Sequence, residues 1–93
     1  MKRFSKHTLY LVRNNIAVQI VITDILRLPH KFSEDHFRYL CPVCSEFRTA
    51  CHKTTNLARC FLCEKNFNNI DLLVVSLNLS FVQAVNTLIP HVP

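Results

Sequence analysis

The chain has 93 residues, 49% hydrophobic and 18% charged, a balance that excludes a disordered polymer and fits one domain with a modest core. Eleven Lys and Arg against six Asp and Glu give +5 at pH 7 with His neutral, which suits an anionic partner, nucleic acid foremost, and equally serves plain solubility. Every Lys and Arg lies between Lys2 and Lys65, so the last 28 positions are apolar with Asp71 as their only acid, and two regions with two jobs are expected.

Residues 1–14 read as a basic arm carrying Lys2, Arg3, Lys6, His7 and Arg13, with "LYLV" a short strand, and residues 15–93 as the domain proper. Asn14 or Asn15 can cap the next element. In "IAVQIVITDILRL", Val18, Val21, Ile22, Ile25 and Leu28 recur at three-and-four spacing. The β-branched residues favour a strand, but the length favours a helix that ends at Pro29. The run "IAVQIVI" is too short to span a bilayer and lacks the flanks of a secretory signal, although the basic, acid-free start shares the composition of a transit peptide. A cytoplasmic, reducing compartment with no membrane association is the expectation, and disulfides are rare there.

Between Phe37 and Cys60, "FRYLC", "FRTACHK" and "LARC" read as three short strands, separated by the first cysteine turn and the loop "TTN". After Cys63, the asparagines of "NFNN" suit left-handed or capping positions, and "IDLLVVSL" opens an apolar helix. Ser80 and Gln83 form the S-x-x-Q pattern of a capping box at the start of a last helix, which ends at Pro90. The class is α+β: a small three- to four-stranded antiparallel sheet flanked by an N-terminal helix and two C-terminal helices.

Cys41 and Cys44 enclose two residues, Cys60 and Cys63 enclose two, and 15 residues separate the pairs. Each Cys-x-x-Cys turn aims two thiolates into one concavity, and a hairpin that joins two such turns completes a tetrahedron of soft sulfur ligands. One structural Zn²⁺ fits this set, with iron the better of the remaining metals. A thioredoxin-like redox pair needs a βαβ unit that the pattern does not supply. Cys51, beside His52, is expected to be a small core residue outside the ligand set. Four protein ligands leave no open position on a metal. There is also no Gly-rich phosphate loop, paired acidic motif or Ser/His/Asp grouping, so neither catalysis nor a small-molecule substrate is expected.

"YLCPVC" followed by Glu46, then "RCFLC", then "NIDLLVVSLNLSFVQAVNTL" together resemble the zinc-binding domain of DnaG-like bacterial and phage DNA primases. They are similar to that family's "CPFHNE", "HCFGC" and "AIDFL…LSFxEAVxxL". The likeness covers about Asn15 to Ile89, with Cys44 standing where the bacterial enzymes have His. Departures are "RTAC" in place of Thr-Pro-Ser-Phe and Leu62, Glu64 and Phe67 in place of turn glycines, so Asn or strained residues must manage those turns. The resemblance implies a zinc ribbon that recognises template DNA without the family's catalytic region. A stand-alone relative, as on a mobile element, and an excised domain both fit.

The leading functional expectation is a single-stranded DNA module that works with a separate primase, helicase or polymerase in DNA replication. Its nucleic-acid-binding residues would be Arg38, Arg48, His52, Lys53, Arg59 and Lys65, with Arg48 and His52 sharing a face by period two. Tyr39, Phe47 and Phe61 are the rings available for stacking, although Phe47 and Phe61 are expected in the core first. A zinc-ribbon adapter for proteins, using the apolar segment from Ile70 to Val92, is the second class. For that segment, burial against the helix before Pro29 is the simpler expectation. A transcription or transposition accessory is the third. No basic helix is evident for a major groove, so duplex readout is not expected.

Overall fold

The computed structural model describes residues 4–93. Ser5 accepts a hydrogen bond from the Thr8 N–H at 3.0 Å and starts helix α1, Lys6–Asn15. A helix therefore stands where an arm or short strand was expected, because Leu9, Val12 and Ile16 line one side and pack into the core. Lys2 and Arg3 lie outside the described residues. Lys6, Tyr10 and Arg13 are exposed, so α1 carries exposed cations on a helix that was not evident in the sequence.

Helix α2, Val18–Ile20, runs into a π-helical turn, Val21–Ile25, and buries Val18, Val21 and Ile22. Neither Asn14 nor Asn15 caps it. Its N-cap is Ala17, without a side-chain bond, and the Val18 N–H donates instead to Asn56 Oδ1 at 2.9 Å from far along the chain. Arg27 takes a left-handed φ of 52° two residues before Pro29, which ends the helical path slightly earlier than the proline alone would.

Five strands follow among the described residues, where three or four were expected. Strands β1 (His30–Ser33) and β2 (His36–Tyr39) form a hairpin, with Ser33 opposite His36. Its turn residues Glu34 and Asp35 both have positive φ, the pattern of a two-residue type I′ turn made without glycine. Strands β3 (Thr49–His52), β4 (Leu57–Cys60) and β5 (Lys65–Phe67) form a second antiparallel sheet in that order. Strand β5 takes in Asn66 and Phe67 of "NFNN", while Asn68 caps the following helix as expected.

The two sheets meet at Thr49 without a ladder. Its buried hydroxyl accepts from the Tyr39 N–H at 2.9 Å and donates to the Tyr39 carbonyl at 2.6 Å, while the Arg38 guanidinium donates to the Thr49 carbonyl. One threonine thus does the work of a strand pair, and the expected single sheet is split in two.

Helices α3 (Asn69–Leu77) and α4 (Phe81–Leu88) close the fold, the latter continued by a 3₁₀ turn, Ile89–His91. Both begin with complete capping boxes, Asn68 with Asp71 and the expected Ser80 with Gln83. Leu72, Leu73, Ala84, Val85 and Leu88 are fully buried. Helix α3 packs on the π turn and α4 on α1, which is the burial against the N-terminal helical segment that the apolar C-terminal third called for. Among the described residues no single helix is long and apolar enough to cross a membrane. The architecture is α+β, with helices on either side of the strands in sequence.

Candidate metal centre

The two cysteine pairs make two like turns. In the first, the Val43 N–H points at Cys41 Sγ at 3.4 Å and the Ser45 N–H reaches the Cys41 carbonyl at 2.9 Å. In the second, the Cys63 N–H points at Cys60 Sγ, also at 3.4 Å. The residue after each pair, Ser45 and Glu64, is left-handed with φ near 60°. Neither position is glycine, and the side chains here carry a conformational cost of about 1–2 kcal/mol each.

Strand β4 delivers Cys60 and the segment after β2 delivers Cys41, so both turns open onto the same space. The four Sγ atoms all lie within 4.8 Å of one another, with Cys41 to Cys63 at 3.9 Å and Cys44 to Cys60 at 3.6 Å. Zinc–sulfur bonds of about 2.3 Å in a tetrahedron give sulfur–sulfur edges of about 3.8 Å, so the donor set has the right size as well as the right chemistry. The separations are far beyond a disulfide bond, and all five thiols are free. The cluster can hold one metal ion with every ligand supplied by the chain.

Crowding divides the protons among the thiols. Burial pushes Cys60 up, but the Cys63 N–H and the thiols of Cys44, Cys41 and Cys63 more than offset this and bring it down to about 7. Cys63 is pushed up to about 12, first by its hydrogen bond with Cys44 and then by desolvation, and burial raises Cys41. Four thiols so close cannot all carry charge without a cation among them. Cys51 stands apart, half-buried against the core, with burial pushing its thiol up to about 11, which makes it a poor nucleophile. The Tyr39 hydroxyl is buried without a hydrogen-bond partner among the described residues, raised first by burial and then by the charge of Cys51 and Cys41.

The basic residues divide by strand parity. Ala50, His52, Leu57, Arg59 and Asn66 share the outer face of the three-stranded sheet through the pairs Ala50 with Arg59, His52 with Leu57, and Arg59 with Asn66. Phe61, joined to Arg48 by a 2.8 Å backbone bond, extends that face. There Arg59 sits over the Phe61 ring at 5.7 Å and reaches Asn66 at 3.4 Å, while His52 Nδ1 is bonded to Thr55. A shallow concavity of about 320 Å³ lies among these side chains. Lys53 and Lys65 fall on the opposite parity, although both are exposed at strand ends, and Arg38 is half-buried on the Thr49 carbonyl.

Of the three candidate rings, Tyr39 is fully buried and Phe47 is half-buried beneath the Lys31 ammonium at 4.7 Å. Phe61 is 51% exposed, contrary to the expectation of a core position, because it sits at the tip of the second cysteine turn with its neighbour Cys60 facing inward. Asn66 was missed as a member of this face; recognising β5 and counting its alternation would have found it.

No protein-family model matches this chain, and no curated protein matches it either.

Proposed function

We propose that the cysteine cluster holds one structural zinc ion and that the outer face of the β3–β4–β5 sheet binds single-stranded DNA. In this reading the chain is a non-catalytic recognition module for a cytoplasmic primase, helicase or polymerase, as its resemblance to primase zinc domains suggests. A tetrahedral all-sulfur set is closed to substrate, so the metal's role is to fix the sheet.

The observation that carries the DNA reading is Arg59 lying over an exposed Phe61 on a face without acids. Residues 47–63 contain no Asp or Glu. A ring left in water at the tip of a turn gains when a base covers it, by about 1–3 kcal/mol per stacked base, and the guanidinium beside it meets the phosphate. Arg48 and Arg59 on this face, with Lys53 and Lys65 exposed at the strand ends that border it, supply about four cationic contacts. Affinity for a labelled single strand should then fall with log salt with a slope near about −3, and Phe61→Ala should weaken binding by roughly 5- to 150-fold at fixed salt. A flat salt response in the zinc-loaded chain would reject the reading.

A protein adapter is the second reading, favoured by Val75, Leu77 and Phe81, which remain exposed on α3 and α4. Self-association in light scattering, or co-purification with a protein in the absence of DNA, would favour it.

A further inference from the structure

We propose that α1 is a second contact for the bound strand, which leaves the sheet at His52, rounds the tip of the β3–β4 hairpin and continues along Arg13, Tyr10 and Lys6. This rests on the single-stranded DNA reading of the sheet and extends it to a helix on a separate part of the chain.

The concavity on the sheet does not stop at the sheet. A second one, of about 380 Å³, shares Cys51 and His52 with it and is lined also by Ala17, Gln19, Lys53 and Asn56. The groove therefore passes from the outer face around the end of β3 to the start of α2. At its far end the Asn56 amide donates to the carbonyls of Arg13 at 2.7 Å and Ile16 at 2.9 Å, which seats the last turn of α1 against the hairpin tip.

Charge follows the same path. Residues 1–23 contain no acid, and neither do residues 47–63; the Asn56 bonds bring these two acid-free segments together. On α1, Lys6, Tyr10 and Arg13 recur at four-and-three spacing and are exposed, Tyr10 at 63%. They form a stripe about 10 Å long at 1.5 Å per residue, a ring between two cations. That alternation suits a single strand, in which phosphates and bases are both accessible.

The C-terminal end of a helix ordinarily repels phosphate through its free carbonyls. Here the carbonyls of Val12, Arg13 and Ile16 already accept from the Asn56 and Asn69 amides. Arg13 in that last turn adds a positive charge.

The test uses the zinc-loaded full chain, wild type and the double variant Lys6→Gln with Arg13→Gln. Glutamine keeps helix propensity close to that of Lys and Arg, and circular dichroism and zinc content verify folding. Binding is measured over a salt series to labelled oligonucleotides of roughly 4 and roughly 16 nucleotides, the range of site sizes for one small binding fold. The double variant should bind the short strand as wild type does. On the long strand it should lose about 1.4 from the salt slope, two contacts at about 0.7 each. An unchanged slope on the long strand, with Phe61→Ala still impaired, would overturn the role of α1 and leave the sheet reading standing. Absence of binding to either strand by wild type would overturn both. Equal competition by duplex DNA or by polyglutamate would overturn the single-strand assignment of the stripe.

Discussion

The helical and the sheet regions of this chain bury different kinds of side chain. Helices α1 to α4 contribute Val12, Val21, Ile22, Leu72, Leu73, Val85 and Leu88, all with no exposed surface, and each such side chain is worth about 1.5–3 kcal/mol when buried. The β3–β4–β5 sheet contributes Thr49, Ala58 and Cys60, with Phe67 its one large apolar side chain that is buried. Its strands have three or four residues, and its outer face carries Arg59, His52 and Asn66. Burial holds the first region together, whereas the second has too little to bury. Zinc bound to four thiolates contributes roughly 10–16 kcal/mol in small peptides, comparable to the whole net stability of an ordinary domain, and would make good the difference. A metal bound there would free the outer face of the sheet from the need to be apolar, which is what the proposed recognition role requires.

The largest way to break this comparison is Cys60→Ser. One soft ligand is lost from a set of four, zinc should fall below one per chain in native mass spectrometry, and the sheet should lose its circular dichroism signature, while Cys51→Ser should change neither. A smaller effect is expected from Asn69→Ala, which removes the 2.6 Å side-chain donor of the Val12 carbonyl in a buried place, while the Ile16 carbonyl loses one amide donor and keeps Asn56. About 1–3 kcal/mol should be lost in urea unfolding with zinc content unchanged. If zinc is lost as well, the two regions are not separable in the way proposed.

The uneven legibility of the sequence has the same physical origin. The last helix was readable because Ser80 and Gln83 are local to each other, and the metal site because four cysteines at fixed spacing leave few alternatives. Helix α1 was not readable: its apolar side is short, and Asn56 and Asn69, the residues that seal its end, lie 43 and 57 positions from the carbonyls they meet at Arg13 and Val12. Strand β1 was hidden because "HKFS" is exposed throughout and shows no buried alternation. The split of the sheet at Thr49 depends on a hydroxyl bonding to the Tyr39 backbone, which no pattern of hydrophobicity records. The absence of glycine was informative, since seven non-glycine residues among those described have positive φ, Asn56 and Asn78 among them.

The smallest effect tests those turns. Glu64→Gly and Ser45→Gly relieve left-handed backbone beside the metal ligands, and each should stabilise the zinc-loaded chain in urea unfolding by up to about 1 kcal/mol, the folded-state relief being partly offset by the freer unfolded chain. A loss of stability would mean that these side chains make contacts that outweigh the strain.

The most direct test is residue-resolved amide hydrogen exchange on the zinc-loaded chain before and after chelation. Amides of β4 and β5, from Ala58 to Phe67, should lose their protection when the metal is removed, sooner and more completely than those of Leu72, Leu73 and Val85 in the helices. Protection of the sheet that survives chelation unchanged would contradict a metal-held sheet.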